Sequence, residues 1–531
     1  MVEMSDPAPP TASGVRPPLF YFGTGAICAL IILGIRLALA SRVGYCGWRD
    51  ACFYETLAQQ LAHHHGFVVP FVWDYQVGDI NLPNPALEYW RPGMSLLLAS
   101  PAVFGDRVTL MSAAILDTLA TLLLSLSAAW LAWRTLSDRL ATLLAFLLCL
   151  SLAPLWTMPL TPDSALFYAV AVAWFLVLIT VERANLAVEV IGLAMAGIAY
   201  LIRNDAIVLG VVLVVILARR LSNARNDGRP AEVGRAVALC IGFVLALVPT
   251  HVLLYAVGGH PFNSAIDRVM FLGNMDDFRR YGSVVDFTSW SSAGVAALVK
   301  MRLNALFATL RATLLLCSQF PTLLALVGAV LVATRRRREY GDRFLGPAVF
   351  LVVLAGSYIL VLPVIADHAV PRSAVALLPA FAVLAVIGAR EVVRSATIAT
   401  AAVGIAALFS AIHGLSEARG LIGNFHQLDA QYKAEAELVR RDARPGQPVI
   451  AMVVDPAPFT ATTGIPSVPL PSNGIAATEQ AIARYGVTAV VADEWQGGRA
   501  LVAALHGAKV DAVPETTDIV IGLPAARAAA D

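Results

Sequence analysis

The chain has 531 residues, of which 58% are apolar and only 14% are charged. Because a soluble domain carries about 25% charged residues, this composition excludes an ordinary water-soluble enzyme and an intrinsically disordered chain. The 38 basic and 37 acidic residues nearly cancel, so the formal charge of +1 gives no reason to expect a nucleic-acid partner.

Apolar runs recur from residue 19 to residue 410. Since about 20 apolar residues cross the hydrocarbon core of a bilayer, they predict an α-helical polytopic membrane protein with about eleven transmembrane helices. The predicted ranges are 19–40, 108–133, 139–157, 163–181, 186–202, 205–218, 234–257, 304–333, 344–365, 371–389 and 396–414. The first range is longer than the apolar segment of a cleaved signal peptide, so we interpret it as a retained helix.

Arginines lie between alternate predicted helices. With a cytoplasmic N-terminal tail, residues 1–18, they all fall on the cytoplasmic side: Arg134, Arg139, Arg183, Arg219, Arg220, Arg225, Arg229, Arg235, Arg335 to Arg338, Arg343, Arg390 and Arg394. Cytoplasmic loops are enriched in basic residues, so this orientation in an inner or plasma membrane is favoured. Within the membrane domain, 19–415, the loops 41–107 and 258–303 are then extracytoplasmic.

The C-terminal region, 420–531, has a different pattern. Short β-branched runs at 448–454 and 487–492 are separated by a helical pattern at Ile475–Tyr485, which predicts a small extracytoplasmic α/β domain. It has no glycine-rich phosphate loop and no metal-spaced set of Cys and His residues. A supporting or acceptor-guiding role is therefore favoured over catalysis.

The first outer loop contains a predicted surface helix. Phe53, Leu57 and Leu61 are at helical spacing, and Gly66 suits the helix end. Asp50 lies near the start of this helix, where the helix dipole keeps a carboxylate ionised, the state that a general base requires. Cys46 and Cys52 flank Asp50, and a disulfide between them remains open. Three successive histidines follow at His63, His64 and His65, but their directions diverge too widely for one metal ion.

Acids and arginines cluster at the predicted outer ends of the helices. The set comprises Asp50, Arg91, Asp163, Arg203, Asp205, Asp267, Arg268 and Arg372. Arginine binds phosphate bidentately and keeps its charge, whereas a carboxylate can remove a proton from an acceptor hydroxyl. The pattern suits an enzyme that holds a lipid-linked phosphate and activates an acceptor.

Six segments carry a resemblance to a known family. They are 50–67, 89–105, 159–165, 197–205, 248–261 and 371–379. Together they resemble the GT-C membrane glycosyltransferases, and most closely the bacterial branch similar to protein O-mannosyltransferases and lipid A aminoarabinose transferases. The resemblance implies inverting transfer of a sugar from a polyprenyl-phosphate donor to an extracytoplasmic glycan, lipid or protein acceptor.

The resemblance also implies roles for single residues. Asp50 would be the catalytic base, Asp163 a second acid, and the donor phosphate would be bound by Arg91, Arg203 and Arg372. Tyr54, Glu55 and Tyr89 are candidates for the pocket wall because they lie close to these positions in sequence. Many relatives have an Asp-Glu pair, whereas Asp50 is followed by Ala51, so the position of the second acid is open.

Several alternatives remain. Asp50 and Asp163 also fit helix caps, and Arg91 and Arg372 fit the membrane interface. The chemistry requires no cofactor and no metal site is predicted, although Asp50, Asp74, Asp79 and Asp163 could share a divalent cation. A transporter or flippase of lipid-linked sugars, an O-antigen ligase or polymerase, and a non-catalytic scaffold are the competing functions.

Overall fold

The computed structural model describes residues 19–523, except 77–80, 104–107, 182–184, 227–230, 263–265, 316–317, 336, 394, 444–445, 495–497 and 506–507. The predicted N-terminal tail, Asp79, Arg183, Arg229, Arg336 and Arg394 therefore lie outside the described residues, as do the side chains of Asp267, Arg337 and Arg338.

Long apolar helices form most of the chain. The first part contains α1 (Leu19–Ala40), α2 (Arg49–Ala62), α3 (Gly93–Val103), α4 (Leu110–Leu136), α5 (Arg139–Ser151), α6 (Pro154–Thr157), α7 (Ala165–Ile179), α8 (Leu186–Ile202), α9 (Val208–Asn226) and α10 (Ala231–Gly258). The second part contains α11 (Ile266–Val269), α12 (Phe287–Ser292), α13 (Val295–Leu315), α14 (Gln319–Thr334), α15 (Arg337–Leu360), α16 (Ala366–Ala374), α17 (Leu378–Val392) and α18 (Ala396–Asp442). A small hairpin, β1 (Val68–Val69) and β2 (Asn84–Pro85), lies in the first outer loop.

Within the described ranges, five helices are long and apolar enough to cross a membrane, or up to seven if each of two bent pairs is one span. Shorter apolar helices, including α7 and α8, accompany them. The predicted fold class is confirmed: the chain is a multi-pass, mainly helical membrane protein with a small sheet near its C-terminus. The predicted number of eleven helices stays a prediction.

Three predicted ranges differ in detail from the structure. The range 139–157 corresponds to two helices whose axes form a bend of 55°. The range 304–333 corresponds to α13 and α14, whose axes form a bend of 97°. The predicted span 396–414 continues without interruption as α18 to Asp442. At 1.5 Å per residue, this 47-residue helix is about 70 Å long, more than twice the thickness of the hydrocarbon core.

A buried ion cluster joins three helices at the end of the bundle predicted to be cytoplasmic. Glu189 of α8 is fully buried and accepts hydrogen bonds from Arg220 of α9 and Arg235 of α10, each at 2.9 Å. A buried carboxylate requires such partners, because removing an unpaired charge from water is costly. This cluster fixes the three helices against one another.

The C-terminal region forms a five-stranded sheet with the order β4-β3-β5-β7-β6. Its strands are β3 (Ala451–Val453), β4 (Ser467–Pro469), β5 (Ala489–Asp493), β6 (Lys509–Ala512) and β7 (Asp518–Gly522), with helices α19 (Pro456–Thr463), α20 (Ile475–Tyr485) and α21 (Arg499–Ala504). β3 is parallel to β4 and β5, whereas β7 is antiparallel to β5 and β6. We refer to this unit as the α/β domain.

The α/β domain packs directly on α2. Arg49 of α2 forms an ion pair of 2.9 Å with Asp455, next to α19. Phe53, on the apolar face of α2, is buried and makes edge contacts with Phe71 and Trp73. Protein therefore covers this face of α2, and the position of the helix at the membrane surface stays a prediction.

Candidate active site

The start of α2 is held close to the segment before α7. Cys46 and Cys52 are joined by a disulfide with Cα atoms 4.9 Å apart, which closes a loop around Asp50. Gly47 has a φ of +94°, and a Cβ atom there would lie 2.2 Å from the Thr161 side chain. Only glycine fits this conformation and this close approach, so the turn brings Asp50 next to the segment that carries Asp163.

Arg372 of α16 bridges the two acids. Its Nη1 donates a hydrogen bond to Oδ2 of Asp50, and its Nε lies 3.6 Å from Oδ2 of Asp163. The side chain of Asp50 is 18% exposed, whereas that of Asp163 is only 7% exposed. Three residues from distant parts of the sequence therefore form one half-enclosed cluster, which we call the acid cluster.

Asp50 and Asp163 were both candidates for helix caps, but they are placed differently at the starts of their helices. The N-cap of α2 is Trp48, which makes no side-chain cap, and Asp50 lies in the first helical turn with its carboxylate toward Arg372. Asp163 lies one residue before Ser164, the N-cap of α7, and its Oδ1 accepts the Ala165 amide hydrogen at 2.9 Å. Asp163 thus fixes the start of α7 while its other oxygen faces Arg372.

Arg203 follows the last residue of α8 and is surrounded by protein partners. It forms an ion pair of 3.1 Å with Asp205 and donates hydrogen bonds to Ser164 (3.5 Å) and Ser373 (3.2 Å). Ser164 and Ser373 are the chain neighbours of Asp163 and Arg372. Arg203 therefore holds together the backbone segments that present the acid cluster.

Arg91 lies beside this cluster but not within it. It is buried, donates to Tyr200 at 2.7 Å and to Asn204, and stacks over the Tyr200 ring. Its Nη1 atom has no hydrogen-bond partner among the described residues. Asn204 follows Arg203 directly, so Arg91 reaches the site through the segment after α8.

A glycine accounts for the position of Arg91. A Cβ atom on Gly93 would lie 2.6 Å from the Leu201 carbonyl oxygen, so the start of α3 contacts the end of α8 at backbone distance. Tyr200 extends this contact, because its hydroxyl lies 3.2 Å from Nε2 of His251 in α10.

Of the three residues predicted to form the pocket wall, only Tyr54 lies beside the acid cluster. Tyr54 is buried beside the acid cluster, and burial together with the charge of Asp50 raises its pKa well above the usual range. Glu55 instead contacts Gln59, and burial raises its pKa to about 7. Tyr89 donates to the Asp74 carbonyl oxygen at 3.0 Å. Among the described contacts, neither Glu55 nor Tyr89 touches the acid cluster.

The role of Asp205 was missed, although the sequence pattern placed this residue among the charged residues at the outer helix ends. Asp205 accepts hydrogen bonds from Tyr358 at 3.1 Å and from Ser373, so it is the centre of a buried network. Its place directly after Arg203 and Asn204 was a usable signal. Asp117 of α4 was also missed. It is buried, and neither carboxylate oxygen has a partner within the described part of the chain.

Of the candidate cation ligands, Asp50, Asp74 and Asp163 do not form one group, and Asp79 lies outside the described residues. Asp74 is buried and accepts the Gln76 amide hydrogen at 2.7 Å, and burial raises its pKa to about 7. The described residues contain no cluster of three or more His, Cys, Asp or Glu side chains suited to a metal ion. The His63 and His65 rings lie 6.0 Å apart, and both residues are exposed.

Comparison with solved structures identifies the fold. ArnT from Cupriavidus metallidurans bound to undecaprenyl phosphate is 12% identical, with a TM-score of 0.58, and the match covers 97% of this chain and 100% of that chain. The apo state of the same protein is 13% identical, with a TM-score of 0.59 over 97% and 99% of the two chains. The oligosaccharyltransferase AglB from Archaeoglobus fulgidus, in complex with an inhibitory peptide and a dolichol-phosphate, is 12% identical, with a TM-score of 0.54 over 89% and 69%.

No protein-family profile matches the sequence, and no curated protein is significantly similar to it. At identities of 12% and 13%, the structural matches establish the fold alone. The resemblance predicted from the six sequence segments is confirmed at that level: the chain has the fold of the GT-C membrane glycosyltransferases.

Proposed function

We propose that the protein transfers a sugar from a polyprenyl-phosphate donor to an extracytoplasmic acceptor. The observation that carries the proposal is the guanidinium of Arg372, which contacts both Asp50 and Asp163 in a chain with the GT-C fold. The structures of similar fold support the donor class, since one is bound to undecaprenyl phosphate and another to a dolichol-phosphate.

Arg372 and Arg91 are the proposed contacts of the donor phosphate. The donor is a phosphodiester with one negative charge, and its oxygens match the planar guanidinium, so it can draw Arg372 away from Asp50 as it binds. The Nη1 of Arg91, which lacks a partner among the described residues, supplies a second donor. Arg203 already has three protein partners, so we assign it the role of a positioning residue.

Asp50 is the proposed general base. Its carboxylate accepts the proton of an acceptor hydroxyl while the hydroxyl oxygen bonds to the anomeric carbon of the sugar. The bond between that carbon and the phosphate oxygen breaks, and the electron pair leaves with the polyprenyl phosphate. Attack from the face opposite to the phosphate inverts the anomeric configuration. Arg372 then balances the charge that develops on the leaving phosphate.

The two acids differ in their suitability as the base. Asp50 is the more exposed acid. Among the described contacts, its carboxylate accepts a hydrogen bond only from Arg372. Asp163 is more buried and is held by the Ala165 amide. We therefore propose that Asp163 orients Arg372 and that Asp50 carries out the proton transfer.

The proposed orientation has the acid cluster at the outer surface of an inner or plasma membrane. Its support is the positive-inside pattern, to which Arg220 and Arg235 belong. These two arginines pair with Glu189 near the start of α8, whereas Arg203 follows the end of the same helix. A phosphate site at the outer leaflet lets the lipid tail of the donor stay in the bilayer.

The decisive test is sugar transfer by the purified protein in nanodiscs, with a panel of polyprenyl-phosphate sugars and a bacterial envelope extract as the acceptor source. Asp50→Asn keeps the shape of the side chain but removes the base, and we expect transfer to fall by about 100-fold or more. Asp367→Asn is the matched control, because Asp367 is an exposed acid on the same helix as Arg372.

Equal rates for wild type and Asp50→Asn would refute the assigned base. Movement of a labelled lipid-linked sugar across the bilayer without formation of a glycosidic product would favour a transporter instead. Accessibility of a cysteine introduced at half-buried Gln60 to an impermeant reagent from the cytoplasmic side would overturn the proposed orientation.

A further inference from the structure

The α/β domain contains a cavity of about 470 Å³ that the proposed transfer reaction does not use. Its floor is the edge of the sheet at which the parallel strands end. Val454 follows β3, Leu470 follows β4, and Asp493 is the last residue of β5; all three line the cavity. This volume is in the range of cavities that hold small molecules.

The strand order gives this edge a particular significance. From β3 the chain passes through α19 to β4 on one side, and then through α20 to β5 on the other side of β3. The crevice outside the carboxyl ends of the strands at such a reversal is where open α/β sheets bind ligands. The cavity therefore lies at the position in this domain that the topology favours for binding.

The second outer loop completes the cavity wall. Asp276 and Arg279 of this loop line the cavity, and they form an ion pair of 2.6 Å with each other. Ser472 attaches the loop to the α/β domain, because its hydroxyl donates to the Asp276 carbonyl oxygen at 2.7 Å and its amide donates to the Arg279 carbonyl oxygen at 2.9 Å. Two regions separated by almost 200 residues in the chain thus form one site.

The cavity lining combines hydrogen-bonding groups with an apolar surface, which suits a carbohydrate. Asp276 and Asp493 offer carboxylate acceptors, and Arg279 offers guanidinium donors. Val454 and Ile475, which are 40% and 38% exposed, offer an apolar surface to the C–H face of a sugar ring. A sugar presents hydroxyls that both donate and accept, so it can bond to these groups beside the protein partners that Asp276, Arg279 and Asp493 already have.

A nucleotide fits this cavity less well. The segment after β3 contains Pro456 and Pro458, which have no amide hydrogen, where phosphate-binding sheets of this type have a glycine-rich turn. Asp276 and Asp493 would also repel a phosphate group. We propose that this cavity binds a neutral sugar unit, independently of the donor site.

The experiment is saturation-transfer NMR on the full-length protein in nanodiscs, with a panel of neutral methyl glycosides of hexoses, pentoses and N-acetylhexosamines. Ala500→Trp fills the cavity from an exposed position on α21, and Asp493→Asn removes one acceptor charge. We expect at least one glycoside to give a saturation signal, Ala500→Trp to weaken its apparent affinity by about tenfold or more, and Asp493→Asn to weaken it several-fold.

Glu479→Gln is the control, because this exposed acid lies on α20 but does not line the cavity. Retention of the saturation signal in Ala500→Trp would overturn the proposal, as would the absence of a signal from every glycoside in the wild type. Displacement of the bound glycoside by inorganic phosphate at equal concentration would show an anion site and would also overturn it. Because no donor is added, these outcomes are independent of the role of Asp50.

Discussion

The acid cluster and the cavity of the α/β domain both set two acids around one arginine, but their surroundings differ. Arg372 reaches Asp50 and Asp163 from another helix, and neither acid is more than 18% exposed. Arg279 instead pairs with Asp276 three residues earlier on the same loop, and Asp276 is 69% exposed. The acids of the acid cluster are therefore coupled to the packing of several helices, whereas Asp276 at the cavity is largely solvated and suits reversible binding.

Asp205→Asn should have the largest effect on stability. It leaves the buried guanidinium of Arg203 without its counter-ion and removes the charged acceptor of the Tyr358 and Ser373 hydroxyls. Breaking a buried pair by removing one partner costs about 3–5 kcal/mol. The measurement is thermal unfolding in detergent beside Asp367→Asn, and a Tm equal to that of the control would mean that the network contributes little.

Arg372→Ala tests the acid cluster through catalysis. We expect sugar transfer to fall by about 100-fold to 1,000-fold, because the variant loses a preorganised positive charge beside the leaving phosphate. Arg372→Lys should recover part of the rate, since it keeps the charge but not the planar guanidinium. A rate for Arg372→Ala within twofold of wild type would exclude the proposed role.

Asp74 lies in the first outer loop and should confer a pH dependence on stability. Burial raises its pKa from 3.8 in the unfolded chain to about 7, so the folded protein holds a proton that the unfolded chain has lost. The contribution of Asp74 to the free energy of unfolding is fully present below about pH 4. It falls by up to about 1.4 kcal/mol per pH unit as the pH rises to about 7. Asp74→Asn should flatten the change in Tm between pH 5 and pH 7, and an unchanged slope would contradict this assignment.

Arg91→Lys should have a moderate and specific effect. Lysine keeps the charge, but its N–H groups share one nitrogen and do not reproduce the spread guanidinium contacts to Tyr200 and Asn204. We expect donor affinity to fall by about tenfold, with acceptor affinity unchanged, when both are measured by titration in the transfer assay. An equal loss for both substrates would indicate a general structural role.

Asp276→Asn should have the smallest effect on stability. Asp276 is 69% exposed, so loss of its pair with Arg279 should change the free energy of unfolding by less than about 1 kcal/mol. A larger loss of Tm would show that this pair, despite its exposure, is as strongly coupled to the fold as the acid cluster. In that case the contrast between the two sites would not hold.

The amino-acid sequence by itself determined the membrane class, the helix Ile475–Tyr485 and the presence of acids and arginines near helix ends. These properties depend on local apolar length and periodicity, which neighbouring residues set. The same local pattern did not reveal the bend between α13 and α14, since it depends on packing against other helices.

Only the tertiary structure decided which charges meet. In the folded chain Arg372 pairs with Asp50, more than 300 residues away, and Arg203 bonds to Asp205 and Ser373. Glu55 and Tyr89 contact Gln59 and Asp74 instead of the acid cluster. The tertiary structure also formed the cavity from two regions that show no motif in sequence. The physical reason is that pairing between charges is set by distance and burial, and these arise from packing between helices that a linear pattern does not encode.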